Sequence, residues 1–206
     1  MGTMPDGVII AVLVPVAYFL GTFPSADVIG RRRGIDVTVA GSGNPGASNT
    51  FRLLGWRAGV LVFAMDAAKG ALAAGAGLAL AGNAGAYVLG VAAIVGHMFP
   101  VTRRFRGGRG VATGAGVLLV VFPWLTLASA ALWFVVVWLT HKASLASLVV
   151  AIAFPIAVAL TGNSWADVVV IAAVALLVIA RHAPNLRRLL RGEELGLDPG
   201  TPDDET

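Results

Sequence analysis

Charge is scarce in this sequence and gathers mostly at the seams between long apolar stretches. From residue 111 to residue 139 the chain runs for 29 residues without a charged side chain. About 20 predominantly apolar residues suffice for a helix to cross the ~30 Å hydrocarbon core of a bilayer. Comparable stretches occupy 7–29, 58–82, 84–101, 143–161 and 165–180; Asp66 and Lys69 interrupt the second, and Asp167 lies near the start of the last. Only 13% of the 206 residues are charged and 57% are hydrophobic, where a soluble domain carries roughly 25% charged residues. So few charges cannot cover a soluble surface. The absence of cysteine rules out a disulfide scaffold, a Cys-ligated zinc and a Cys nucleophile. Abundant Ala, Gly and Val suit helices packed closely in lipid. The expected fold class is an all-α polytopic membrane protein.

The 29-residue run reads either as one tilted helix or as two short ones, 111–122 and 124–139, divided at Pro123. Proline fits the first turn of a new helix and disrupts a helix interior. The cations decide between these readings, because Lys and Arg collect in cytoplasmic loops. With seven spans, 14 of the 15 basic residues share one side: Arg31, Arg32, Arg33, Arg52 and Arg57; Arg103, Arg104, Arg106 and Arg109; Lys142; and Arg181, Arg187, Arg188 and Arg191. The fifteenth, Lys69, lies inside the second span. Six spans would divide them nine against five. Seven transmembrane helices, some of them short, are therefore expected, with the N-terminus outside and the C-terminus cytoplasmic. Trp124 and Trp165 then fall near outer span ends and Trp138 near an inner one, as an aromatic belt requires. No basic region precedes the first apolar stretch, so the N-terminus does not read as a cleavable signal. A single membrane domain is expected over 1–195, with a disordered acidic tail over 196–206.

The same cytoplasmic side collects the polar, glycine-rich segments: GSGNPGASNTFRLLG (41–55), GHMFPVTRRFRGGRGVATG (96–114) and RHAPNLRRLLRGEE (181–194). Glycine lets successive backbone N–H groups converge on an anion, and arginine adds a fork of donors matched to phosphate. A phosphate-bearing ligand is the natural expectation, with Gly107, Gly108 and Gly110 read as an anion loop. Arg31–Arg33, Arg103 and Arg104 read as ordinary topology and head-group cations. A transporter would place polar groups near the midplane of several spans, and here only Asp66 and Lys69 do so clearly. These two, three residues apart, read as a structural ion pair on one helical face. Asp27 reads as reaching the interface.

Other motifs are absent or coincidental. Gly41-x-Gly43-x-x-Gly46 lacks the β-α-β setting of a dinucleotide fingerprint. There is no Walker loop and no G-x-S-x-G elbow. None of His97, His141 and His182 has Asp five residues on, so the His-x4-Asp arrangement of soluble-type glycerolipid acyltransferases is missing. No histidine pair suggests a metal.

Taken together, these segments resemble the bacterial membrane acyltransferases that use acyl phosphate to acylate glycerol 3-phosphate. The family pattern GSGN-x-GA[TS]N with a following Arg is met at Gly41–Asn49 and Arg52. GH-x-FP…F-x-GGKG-x-AT is met at Gly96–Thr113, and HR-x-N with a downstream Glu at His182, Asn185 and Glu194. GTFPSADVIGRRRGID (21–36), DAAKG (66–70) and SLAS (144–147) also fit. The family lysine is Arg109 here, and the HR-x-N segment reads His182-Ala183-Pro184-Asn185.

The resemblance implies transfer of a fatty acyl group from acyl phosphate to the sn-1 hydroxyl of glycerol 3-phosphate, in phospholipid biosynthesis. It implies that Ser42, Arg52, Arg109, His182 and Asn185 act on the acceptor. Gly41, Gly43, Asn44, Gly46, Ser48, Asn49, His97, Gly107, Gly108, Gly110, Thr113 and Ser147 would form the remaining substrate contacts. Glu194 is counted with them, or anchors the tail, for instance to a loop arginine. The proton of the hydroxyl can go to His182 or to a substrate phosphate, and the resemblance favours the phosphate. No cofactor, metal, nucleic acid or obligatory protein partner is implied; membrane lipids are. The site would face the cytoplasm from a bacterial inner membrane. Two rival classes make different predictions: a carrier for a phosphorylated small molecule, and a non-catalytic relative, for which Arg109 and Ala183-Pro184 speak.

Overall fold

A computed structural model describes residues 6–197. Apart from Gly196 and Leu197, the tail expected to be disordered therefore lies outside the described residues. The described residues form nine α-helices and no strand: α1 (Asp6–Gly21), α2 (Ser25–Arg31), α3 (Ala47–Leu54), α4 (Trp56–Met98), α5 (Val111–Val121), α6 (Pro123–Thr140), α7 (Ala143–Leu160), α8 (Trp165–Arg181) and α9 (Ala183–Arg191), with a 3-10 turn at Val101–Arg103. The all-helical expectation holds. The chain divides into two compact units, one built from residues up to 24 and 63–126, the other from 25–62 and from 127 onward.

In the first unit the long helix α4 is two helices in sequence. Ala81 and Gly82 leave helical geometry, Gly82 at φ 62°, a conformation that glycine adopts without a Cβ penalty. The break falls where the second and third expected spans meet. The chain then folds back, and a methyl group on Gly77 would fall on the backbone of Gly85. Glycine sets the other contacts in this unit as well. A Cβ on Gly21 of α1 would meet the Ala93 carbonyl, and one on Gly116 of α5 would meet that of Ala67. Such contacts let helices approach backbone to backbone, which is how association is won where lipid is as apolar as the side chains. Ile10, Ala17, Ala73, Leu89 and Ala93 form the core beneath them.

The first expected span, 7–29, differs in detail. It breaks at Thr22–Pro24 into α1 and α2; proline disfavours helical geometry at the residue before it and offers no N–H. The 29-residue apolar run also divides, as the two-helix reading requires. α5 ends at Val121 and α6 begins with Pro123 at its first position, where a missing N–H costs nothing.

In the second unit Ala26, Val37 and Val62 form a small core under α2, α3 and the loop between them. α7 and α8 pack along one another. α8 starts at a capping box: Ser164 accepts from the Asp167 N–H, and the Asp167 carboxylate accepts from the Ser164 N–H and hydroxyl. Asp167 is thus a cap for its helix end. Trp124, Trp138 and Trp165 are 76–81% exposed.

Four stretches have the length and hydropathy to cross a membrane: Gly7–Arg31, Trp56–Arg103, Pro123–Thr140 and Ala143–Leu160. The pair Trp165–Arg181 and Ala183–Arg191, bent by 57°, makes a fifth if taken together. The second stretch contains the Gly82 break, and α5 is a shorter apolar helix.

The glycine contacts are testable in purified protein. Gly116→Ala places a methyl on the Ala67 carbonyl and should lower stability by about 1–3 kcal/mol, the usual cost of overpacking. Gly75 has nothing within 4 Å of the same position, so Gly75→Ala should be neutral or stabilising. Thermal unfolding in detergent compares them.

Candidate active site

The segment after α2 carries the first glycine motif, and one side chain shapes it. Asn49, in the first turn of α3, is 1% exposed. Its Nδ2 donates to the Val37 and Ala40 carbonyls, at 3.0 and 3.1 Å, and its Oδ1 accepts from the Ser42 N–H at 2.8 Å. Gly41 and Gly43 take φ of 60° and 66°. A Cβ on Gly41 would collide with Asn49 Oδ1, so that position must be bare for the amide to reach the loop. Asn49 therefore holds the loop with all its hydrogen-bonding groups engaged. Ser42 is half-buried on that loop, and its hydroxyl lies 3.4 Å from the Asn44 N–H. Gly46 caps α3 and accepts from Thr50. Ser48 is half-buried in the first turn of α3.

The third motif is built around a turn. α9 ends at Gly192, in the left-handed conformation, with Gly192 N–H donating to Leu189 and Glu193 N–H to the Arg188 carbonyl. This closure reverses the chain and returns Glu194 against the helix it has just left. Its carboxylate accepts from Ser144 Oγ (2.7 Å), Asn185 Nδ2 (2.6 Å) and Arg188 Nε (2.7 Å). Burial pushes the Glu194 pKa up, but these three donors and the Arg188 charge together hold it below its ordinary value. The anchor expected for Glu194 thus exists, though its arginine comes from α9 rather than from a loop. Asn185, 1% exposed, is left with Oδ1 buried and unpartnered among the described residues.

Beyond Glu194 the chain forms a strap. Arg52, in the last turn of α3, donates from Nε to the Gly196 carbonyl and from Nη2 to that of Leu195. Leu197 N–H donates to the His141 carbonyl. Burial lowers the Arg52 pKa; Glu194 opposes this and Arg188 adds to it. Arginine nevertheless stays cationic at neutral pH. The strap takes one edge of the guanidinium, and no hydrogen bond engages Nη1 among the described residues.

His182, 2% exposed, links α8 and α9, with Nδ1 donating to the Val178 carbonyl at 2.8 Å. A carbonyl oxygen only accepts, so Nδ1 carries a proton. The Ala183-Pro184 departure leaves this intact. Pro184 lies in the first turn of α9, where proline is tolerated.

In the first unit the second motif packs on His97, which is 5% exposed. A Cβ on Gly107 would strike the His97 carbonyl, and one on Gly108 would strike its ring at Nε2. Gly110 caps α5 at φ 80° against Met98. These glycines therefore have steric reasons to be glycine. Arg109 is half-buried between them, and Thr113 is fully buried, its Oγ1 unpartnered among the described residues. The expected Asp66–Lys69 pair forms at 2.8 Å.

Ser147 donates to the Ala143 carbonyl and accepts from Trp133 Nε1, which commits its hydroxyl to the protein. The SLAS segment instead reaches the third motif through Ser144. Ser144 and Arg188 lay within segments singled out in the sequence, SLAS (144–147) and 181–194, without a role of their own; the Leu195–Gly196 carbonyls carried no signal.

Glu194 carries a pH prediction. Because its folded pKa is depressed, its stabilisation is complete above the ordinary glutamate value of 4.5 and is lost as pH falls through the lower folded value. Glu194→Gln should cost about 1–3 kcal/mol at neutral pH. It should also flatten the loss of stability on acidification below that value, measured by thermal unfolding against pH.

Known proteins match the chain over nearly its whole length. The family model for glycerol-3-phosphate acyltransferase matches residues 10–192. A glycerol-3-phosphate acyltransferase of Bacillus cytotoxicus is 42% identical over 183 residues, covering 88% of this chain and 92% of the relative. One from Thermoanaerobacter sp. is 39% identical over 187 residues, covering 90% and 94%. Among solved structures, the glycerol 3-phosphate form of PlsY, an integral membrane glycerol 3-phosphate acyltransferase, is similar with a TM-score of 0.87 at 35% identity, covering 91% of this chain and 95% of that one. Its lysophosphatidic acid form gives a TM-score of 0.85 at the same identity. The chain belongs to the glycerol-3-phosphate acyltransferase family.

Proposed function

We propose that this protein transfers a fatty acyl group from acyl phosphate to the sn-1 hydroxyl of glycerol 3-phosphate, releasing 1-acylglycerol 3-phosphate and inorganic phosphate. The observation that carries this is the likeness, at a TM-score of 0.87, to a glycerol 3-phosphate acyltransferase in its glycerol 3-phosphate form. The sequence motifs and the Asn185 geometry support it.

The acceptor falls to Ser42, Arg52, Arg109, His182 and Asn185. Arg52 offers a partly desolvated cation to the phosphate. The Oδ1 of Asn185 accepts from a glycerol hydroxyl, its amide being fixed by Glu194. His182 contacts an acceptor hydroxyl. The donor phosphate falls to the backbone of Gly107, Gly108 and Gly110, with His97 and Thr113, and to the Gly41–Gly46 loop. The hydroxyl oxygen attacks the acyl carbonyl carbon, the carbon–oxygen bond to phosphate breaks, and the departing phosphate carries off the proton. The donor is already activated, so positioning and charge stabilisation suffice without a covalent intermediate. Asn49, Ser147 and Glu194 act by holding the framework.

The site faces the cytoplasm of a bacterial plasma membrane crossed seven times, with the N-terminus outside. The sorting of 14 of 15 cations supports this. The native chain has no cysteine, so single cysteines report cleanly. One at Asn83 or Asn163 should react with an impermeant thiol reagent in intact cells, and one at Gly34 only after permeabilisation; the reverse pattern would refute the orientation.

Phosphate release from acyl phosphate, dependent on glycerol 3-phosphate, tests the reaction. Arg52→Ala and Asn185→Ala should each lower it by roughly 100-fold or more in protein that still inserts. Acyl-CoA should not replace acyl phosphate. Near-wild-type turnover in both variants would sink the site assignment, and equal turnover with acyl-CoA the donor assignment.

A further inference from the structure

Lys69 has four neighbours for three N–H bonds. Its ammonium lies 2.8 Å from Asp66 Oδ1, 3.1 Å from the Gly21 carbonyl, 3.0 Å from the Phe23 carbonyl and 3.2 Å from His97 Nδ1. It is 4% exposed. The carboxylate and the two carbonyls explain its presence: they neutralise it and satisfy the end of α1 where Pro24 stops the helix. The contact with His97 has no part in that. An ammonium has only donors to offer, so the facing ring nitrogen must be an acceptor. An imidazolium there would set two cations 3.2 Å apart. Asp66 Oδ1 stands 3.8 Å from Nδ1, beyond hydrogen-bond reach, and is engaged by Lys69.

The other edge of the ring is where the second motif lies. The atom a Cβ on Gly108 would strike first is His97 Nε2, and the Gly108 N–H donates to the His97 carbonyl. We propose that Lys69 is a positioning residue for the donor site. By donating to His97 Nδ1 it fixes the imidazole as the neutral tautomer with its proton on Nε2, so that the Gly107–Gly110 loop is faced by an N–H donor and not by a base. The donor-site part rests on the acyltransferase reading; the tautomer does not. At His182, by contrast, Nδ1 is a protonated nitrogen, held against the Val178 carbonyl.

Full-length protein labelled with [15N]histidine, in nanodiscs, decides the tautomer by imidazole NMR. The His97 and His141 signals are assigned by their loss in His97→Gln and His141→Gln. His97 should show a protonated Nε2 and a bare Nδ1, and His182 a protonated Nδ1. A protonated Nδ1 or an imidazolium at His97 would overturn the proposal. Lys69→Met alone strands the buried Asp66 carboxylate, so the kinetic test uses Asp66→Leu with Lys69→Met, which removes both charges. With the His182 signal unchanged as the sign of a native fold, His97 should lose its single tautomer. The KM for acyl phosphate should then rise about tenfold, the effect of one hydrogen bond to a charged group, with that for glycerol 3-phosphate unchanged. An unaltered His97 signal, or equal rises in both KM values, would overturn the proposal. If the wild type releases no phosphate from acyl phosphate, the acyltransferase reading and the donor-site role fail together, while the spectrum still decides the tautomer.

Discussion

A polar group taken out of water must find a full set of partners, because leaving one buried and unpaired costs more than a hydrogen bond ordinarily returns. Three side chains in this molecule meet that demand, and much of the architecture is arranged around them. Lys69 gathers Asp66, the end of α1 and His97. Asn49 gathers three points of the loop after α2. Glu194 gathers α7 and two positions of α9. Each joins segments that are separate in the chain, and each lies beside one of the three glycine or histidine motifs.

Glycine serves the same end from the opposite direction. At Gly116 and Gly77 its bareness brings one helix backbone onto another; at Gly41 and Gly108 it brings a loop onto the side chain that organises it. A glycine-rich loop in such a protein is therefore first a surface pressed against its scaffold. Capacity to bind an anion comes from the backbone amides that this pressing leaves in place.

The helical layout was legible because it depends on local chemistry. Gly82 breaks α4 and Pro123 opens α6 for reasons contained in the residues themselves. The division of the first span at Pro24 could have been read the same way, but an unbroken apolar run masks a short break. The motif residues were legible in type and order. Their division of labour was not. That Asn49 braces a loop, that Ser144 rather than Ser147 meets Glu194, and that Arg52 is met by carbonyls from 144 and 143 positions away all depend on tertiary contacts. Backbone carbonyls in particular have no signature in a sequence, since every residue carries one.

That last contact sets what the C-terminal segment will tolerate. Arg52 is held by main-chain oxygens of Leu195 and Gly196, so the link is indifferent to which side chains occupy those positions and sensitive only to their distance from Glu194. Homologous segments should therefore drift freely in composition while keeping the same length from the glutamate to the strap. An insertion or deletion of one residue there would do what many point substitutions could not.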